Sequence, residues 1–368
     1  MCSWYPSRVN LTNGDFIQRH AEAISTLNDV SVMHLVTDKN ILTKNEITSE
    51  VVKGVSTYIA YVKFSRNPLV KFYRFINSFF KLLKIIPSVN LVHVNALFPI
   101  GILALYLKKI KNIPFIISEH WTGYHHPNNQ KISILQKFIS KTISKEASYI
   151  CPVSDDLRVS MQNFGLDGNY KIVPNVVDTN LFTSEVKQHK EKFKIIHISN
   201  LLDRHKNISG MLEVAKNLEN KIPDFEWKFV GGEKKEYQKK IDELELNPSN
   251  LTFIPHISHP EMVKHLQQSD VFVLFSNYEN LPCVILESFS CGVAVISTDV
   301  GGIKEFFPDS FGHLIPKNGK DELLNKLIEV YQNPNNISQE MHQYAIDNFS
   351  KMSIAKKFNE LYKSIENE

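Results

Sequence analysis

Short, continuous apolar runs alternate along this chain with stretches whose apolar residues recur every three to four positions. In the first half the runs predict strands at SVMHLVTD (31–38), YIAYVKF (58–64), LVHVNAL (91–97), PFIISEH (114–120), SYICPV (148–153) and KIVPNVV (171–177). Helical spacing falls on NGDFIQRHAEAIS (13–25), 67–86, GILALYLKKIKN (101–112) and the stretch after Asn129. The second half repeats the rhythm, with strands at FKIIHIS (193–199), EWKFVGG (226–232), LTFIPHI (251–257), VFVLFS (271–276), AVISTD (294–299) and GHLIP (312–316). Helices are expected near 207–221, 234–245, 259–269, 281–291 and 320–333. Strands that are apolar throughout, rather than alternating, are buried on both faces, as in parallel sheets covered by helices. The pattern predicts an α/β protein with doubly wound, Rossmann-like sheets.

The rhythm restarts after residue 182. The stretch DTNLFTSEVKQHKEKFK is polar and lysine-rich, and FKIIHIS opens a new strand behind it, which puts a linker at about 180–192. The expected division is 1–182 and 183–350, two domains of similar size. MSIAKKFNELYKSI near the C-terminus reads as a helix with no strand behind it, so 351–368 is expected to cross back to the first domain. Only MCSWYPS precedes the first glycine turn at Asn13-Gly14, so the first strand of the first sheet looks clipped.

Composition is that of a globular protein: 43% hydrophobic and 22% charged over 368 residues. The four cysteines (Cys2, Cys151, Cys283, Cys291) have no paired spacing and read as free thiols of a reducing compartment. The N-terminus has no apolar signal region, and the longest apolar run, LFPIGILALYL, is about half of what spans a bilayer. The expected location is cytoplasmic. The net charge of +3 hides an asymmetry. Residues 1–180 hold 20 Lys/Arg against 12 Asp/Glu, and no acid lies between Glu50 and Glu119, so one half is suited to an anionic partner.

Two stretches draw attention as sites, because doubly wound sheets bind ligands at the carboxyl ends of their strands, where helix N-termini point. After VFVLFS comes NYENLPCVILES, with Glu279 on the loop and Glu287 inside a predicted helix from Leu281 to Ser290. Eight residues apart on such a segment means roughly 12 Å, too far to share a proton. Two acids so placed can hold the two ends of one extended, hydroxyl-rich ligand. The plainer alternative is a capping acid and a solvated one. After FKIIHIS comes Asn200-Leu201-Leu202-Asp203-Arg204-His205-Lys206-Asn207; cations just before a helix oppose its dipole unless an anion sits there, and surface solvation of Arg204 and Lys206 is again the alternative. GxGxxG is absent, which disfavours a nicotinamide enzyme. Asp155-Asp156 begins a helix without a partner acid, and His125-His126 lack metal-ligand spacing.

SNYENLPCVILESFSCGVAVISTDVGGIKE resembles the signature of the family 4 (GT4) retaining glycosyltransferases, which have the GT-B fold of two Rossmann-like domains facing each other across a cleft. The resemblance extends, in order, through NGDFIQRH, SEHWTGY (118–124), PVSDDL (152–157), VPNVVDTNLF (173–182) and the triplet His205-Lys206-Asn207. It implies that Glu287 binds the ribose of a nucleotide sugar, that Glu279 holds a sugar hydroxyl, and that the backbone of Leu281, Pro282, Cys283 and Val284, with Asn280 beside it, lies near the diphosphate. Lys206 and Arg204 would neutralise that diphosphate, Gly14 would approach it from the first domain, and Gly301 and Gly302 would shape the loop beneath. His120 would stand beside the transferred sugar, so that Glu279, His120 and Lys206 form the implied catalytic set. No metal or other cofactor is implied for the chemistry. Departures from the pattern are Ser199-Asn200-Leu201 in place of Gly-Arg-Leu, Val176 in place of glycine, and Asn280 and Pro282 in place of glycines.

The resemblance implies a hexosyl transfer from a nucleotide sugar, a UDP-sugar first, to a glycan or lipid-linked acceptor in surface polysaccharide assembly. A sugar-nucleotide epimerase of the same fold and an inactive scaffold subunit are the competing readings. Residues 67–86 form a basic amphipathic pattern, with Lys71, Arg74, Ser78, Lys81 and Lys84 as its polar stripe. This is either a core helix with one solvated face or a helix that docks on an anionic membrane surface, at the inner face of the cytoplasmic membrane. No nucleic-acid partner is expected.

Overall fold

The computed structural model describes residues 1–125, 128–185, 192–334 and 337–367. The chain forms two compact units, Met1–Val176 with Lys351–Glu368, and Val177–Ser350. Residues 177–183 thus belong to the second unit: the Val177 amide donates to Phe349 O at 2.9 Å, and Gln267 donates to Thr183 O at 2.7 Å. Part of the linker predicted at 180–192 lies outside the described residues.

The first unit runs α1 (Asp15–Ile24), β1 (Ser31–Asp38), β2 (Asn45–Val52), β3 (Val55–Lys63), α2 (Pro68–Ile85), β4 (Val92–Asn95), α3 (Gly101–Lys111), β5 (Phe115–Glu119), α4 (Ile134–Glu146), β6 (Tyr149–Pro152) and α5 (Asp155–Phe164). Its strands lie in the order β2-β3-β1 and β4-β5-β6, and Cys2 joins the two sets by parallel bridges to His34 and Asn95. At the central position expected to be clipped, Met1–Ser3 lie between the two sets, with Cys2 as an isolated bridge residue rather than a full strand. The Cys2 amide donates to Met33 O at 2.9 Å, and the Asn95 amide donates to Met1 O at 2.9 Å.

Two expectations need correction here. β2 pairs antiparallel with β3 at the sheet edge and has no buried residue, and its sequence, NEITSEVV, carries no apolar run to betray it. KIVPNVV is not a strand. Lys171 and Val173 donate to Ile150 O and Pro152 O beside β6, but Pro174 has no N–H with which to extend a ladder.

Helix α2 turns its predicted polar stripe partly inward. Ser78 is fully buried, and the Arg74 guanidinium donates to Lys63 O at 2.9 Å and Phe64 O at 3.1 Å. Phe79 and Leu82 supply the apolar packing on that side. The outer face carries Leu69, Phe72 and Tyr73, exposed by 77%, 66% and 65%; Lys71, Lys81 and Lys84 are exposed as well, Lys81 donating to Asn45 Oδ1 at 2.9 Å. Two carbonyls at and just after the end of β3 thus hold Arg74 toward the sheet.

The second unit runs β7 (Phe193–Ile198), α6 (Asp203–Lys206), α7 (Ile208–Glu219), β8 (Phe225–Val230), α8 (Gln238–Glu243), β9 (Leu251–Ile254), α9 (His259–Gln267), β10 (Val271–Leu274), α10 (Cys283–Ser290), β11 (Ala294–Thr298), β12 (Gly312–Ile315), α11 (Lys320–Gln332) and α12 (Ser338–Phe349). Its six strands are all parallel, in the order β12-β11-β10-β7-β8-β9. The chain moves one way from β7 to β9 and the other way from β10 to β12, so the order reverses between β7 and β10. An open α/β sheet leaves a crevice outside the strand ends at such a reversal. A final helix, α13 (Lys351–Glu366), belongs to the first unit, where Ile354, Phe358 and Tyr362 share a core with Ala23, Ile24, Ile116 and Cys151.

Candidate active site

In the second unit the two predicted stretches meet at the reversal. The turn after β7 is closed by the Ser199 hydroxyl, which accepts the Leu201 amide at 3.0 Å and lies 2.7 Å from His197 Nε2. Leu201 adopts φ +50°, rare for a branched side chain, and the Tyr237 hydroxyl donates to its carbonyl. This turn aims α6 at the loop after β10. The Asn277 amide donates to His205 O at 2.7 Å, and its side-chain amide donates to Arg204 O at 3.1 Å. Lys206 Nζ then donates to Glu279 Oε1, which also accepts the Ser276 hydroxyl at 2.7 Å. Both Lys206 and Glu279 are largely buried, so the pair is shielded from water and salt.

The loop after β11 supports this from below. A Cβ on Gly301 would stand 2.0 Å from Glu279 O, and φ of +61° is a conformation that glycine adopts freely. The Gly302 amide donates to Asn280 O at 2.9 Å, and the Thr298 hydroxyl donates to Ser276 O at 2.8 Å. Helix α10 begins at Cys283, two residues later than predicted: Pro282 is extended, with ψ of 124°, and a proline disfavours helical backbone at the residue before it, Leu281. Pro282 is therefore the N-cap. Glu287 lies within α10, 1% exposed. Lys206, Glu279, Asn280, Gly301 and Gly302 are thus gathered by direct contact, while Arg204 is exposed on the same turn.

In the first unit, α1 starts just after Gly14 and packs against His120. Gly14 caps this helix with φ +75°, and its missing Cβ leaves room for Trp4, whose carbonyl carbon would lie 2.6 Å away. Phe16 and His20 of α1 set their rings 4.8 and 5.2 Å from the His120 ring. Burial holds His120 well below the usual imidazole range, and His20 and His93 add to this, against a hydrogen bond with Asn175. Burial thus favours the neutral imidazole of His120. Ser276, Asn277, Asn175 and Glu119 belong to these two clusters and were not picked out as functional from the sequence. For Glu119 a signal existed, an acid closing an otherwise apolar strand.

Burial also lowers His20, to about 4, and His197, to about 3. Because the folded values lie under the unfolded value of about 6.5, the unfolded chain binds more protons below that pH. Stability is whole above about pH 6.5 and is lost as pH falls toward the folded values. Each of these two histidines is expected to cost about 2 kcal/mol at pH 5. Thermal melts at pH 7.5, 6 and 5 check this; a Tm flat across the range contradicts it.

Among the described residues no cluster of three or more His, Cys, Asp or Glu side chains could hold a metal ion. None of the helices of the described residues is long and apolar enough to cross a membrane.

Two Rossmann-like units in one chain, each with its polar groups gathered at the ends of parallel strands, define the GT-B class of fold. Residues 34–181 match glycosyltransferase family 4, and residues 181–349 match glycosyl transferases group 1. The chain belongs to this family and is a glycosyltransferase. It is 24% identical over 312 residues to the Escherichia coli UDP-Gal:alpha-D-GlcNAc-diphosphoundecaprenol alpha-1,3-galactosyltransferase, covering 80% of each chain. It is 26% identical over 352 residues to the Campylobacter jejuni N,N'-diacetylbacillosaminyl-diphospho-undecaprenol alpha-1,3-N-acetylgalactosaminyltransferase, covering 88% of this chain and 89% of the other. Among solved structures, sucrose-phosphate synthase from Thermosynechococcus elongatus shares the fold with a TM-score of 0.78 at 18% identity, covering 96% of this chain and 93% of that one.

Proposed function

We propose that this enzyme transfers a hexosyl group, with retention, from a UDP-sugar to a lipid-linked glycan acceptor in surface polysaccharide assembly. The observation that carries the reading is the Lys206–Glu279–Ser276 cluster at the β7/β10 reversal, a paired cation and carboxylate where such sheets bind phosphorylated ligands. The arriving diphosphate competes with Glu279 for Lys206, and the released carboxylate takes a sugar hydroxyl. As the glycosidic bond breaks, negative charge grows on the leaving diphosphate. Lys206, Arg204 and the N-terminal amides of α10 stabilise it electrostatically, the work a divalent cation does in other enzymes. Glu287 takes the ribose hydroxyls, and Gly14 and His120 keep the roles that the resemblance implies. The names of the two bacterial relatives, one with a UDP-galactose donor and both with diphospho-undecaprenol acceptors, support the donor and acceptor class.

The test is a screen of nucleotide sugars for protection against thermal unfolding, followed by transfer to a polyprenyl-diphosphate glycan with and without a chelator. A UDP-sugar that raises Tm and gives an anomer-retained product despite the chelator is the expected result. Protection by GDP- or ADP-sugars alone refutes the donor assignment, and an epimerised free donor refutes transfer.

The outer face of α2 belongs to the same proposal, as a dock for an anionic membrane. Lys71, Lys81 and Lys84 attract anionic headgroups, while Leu69, Phe72 and Tyr73 enter the interface. Replacing Lys71 and Lys84 by Gln together with Phe72 by Ala is expected to cut retention on phosphatidylglycerol vesicles at least about tenfold, each lysine being worth about 1 kcal/mol. Neutral vesicles should retain little of either protein; unchanged retention on anionic ones removes α2 from the reading.

A further inference from the structure

The loop that carries His120 is tied to its neighbour by one buried carboxylate, Glu119, which is 1% exposed at the end of β5. Glu119 Oε1 accepts the amides of His120 and Trp121, both at 2.9 Å. Its other oxygen, Oε2, accepts the Leu97 amide at 2.9 Å, from the loop that follows the adjacent strand β4. The buried Tyr124 hydroxyl adds a fourth donor. A carboxylate so deeply buried is costly unless its lone pairs are met, and four donors meet them. Glutamine at this position would keep the length but offer only one acceptor oxygen, and aspartate would place its two oxygens on a stem one methylene shorter.

We propose that Glu119 is a positioning residue: it locks the loops after β4 and β5 together and so holds the His120 ring against Phe16 and His20, in the orientation that transfer requires. This rests on the reading of His120 given above. His120 follows Glu119 directly, and its amide is one of the four donors, so a shift of this clamp moves the ring at once. Displacement of a reacting group by about 1 Å lowers rate by up to about a hundredfold without weakening a ligand bound elsewhere.

Glu119→Gln tests this in the full-length protein. The amide keeps the size of the side chain, but its NH2 must face an amide N–H on one of the two loops. The expected result is a kcat, per folded molecule, about 10–100-fold lower, UDP affinity by calorimetry within twofold of the parent, and a displaced His120 ring resonance in the NMR spectrum. A parental kcat, or an unmoved His120 resonance, overturns the proposal. A purely structural role would lower Tm and the folded fraction but leave kcat per folded molecule and the ring resonance unchanged. If Glu119→Gln fails to fold, Tyr124→Phe removes one donor and spares both loop contacts; a smaller displacement of the same resonance is then expected, and none overturns the idea. The resonance needs no turnover. A parent enzyme that transfers nothing from any donor therefore refutes the function, while a fixed resonance refutes the clamp.

Discussion

Glu279→Ala is expected to lower kcat by about a hundredfold or more, while UDP binds as tightly as before or tighter. The carboxylate lost is the one proposed to take the sugar hydroxyl, and preorganised groups of this kind are typically worth about 2.7–4 kcal/mol in the transition state. UDP affinity is preserved because Lys206 no longer has Glu279 as its partner and is fully available to the diphosphate. Glu279→Gln keeps an acceptor for the Ser276 hydroxyl and should fall between the two. Steady-state kinetics at saturating donor, with calorimetry for UDP, measure both quantities. Turnover within threefold of the parent would remove Glu279 from the catalytic set, and a loss confined to UDP affinity would make it a binding residue only.

Glu287→Ala should show the opposite signature. If this carboxylate takes the ribose hydroxyls, removing it weakens UDP binding by about 10–100-fold, as expected for hydrogen bonds to a charged group. kcat at saturating donor stays near the parental value. Because Glu287 is buried in α10, the alanine variant also leaves a small cavity and should melt at lower temperature. Glu287→Gln fills that space, so a UDP affinity lowered in both variants, with Tm lowered mainly in alanine, assigns the effect to the ligand. Unchanged UDP affinity in the glutamine variant refutes the ribose assignment.

Most of the strands were legible because parallel strands buried on both faces are written as unbroken apolar runs, as in VFVLFS and AVISTD. The misses have different causes. β2 is polar because only one of its edges pairs and little of it is covered. KIVPNVV has strand-like composition, but Pro174 interrupts its donors. Helix α12, unpredicted, packs its Met341, Ala345 and Phe349 inward within a weak amphipathic pattern.

The candidate site divides the same way. Glu279, Glu287, Lys206, Gly14 and His120 could be named from ordered motifs, since a motif records residue types at fixed local spacing. Their partners could not. Lys206 and Glu279 stand 73 residues apart and meet because the sheet order sets β10 beside β7. Glu119 reads as one more acid until β4 is placed next to β5, and Arg74 reads as a solvated charge until the end of β3 lies beneath it. Local periodicity and turn residues by themselves determined the α/β class and the two-part organisation, and the ordered motifs that carry the family resemblance supplied the candidate chemical groups. Tertiary structure alone decided which groups touch, which charges are shielded, and which face of α2 meets solvent, because these depend on strand order, a property of the whole sheet rather than of any segment in it.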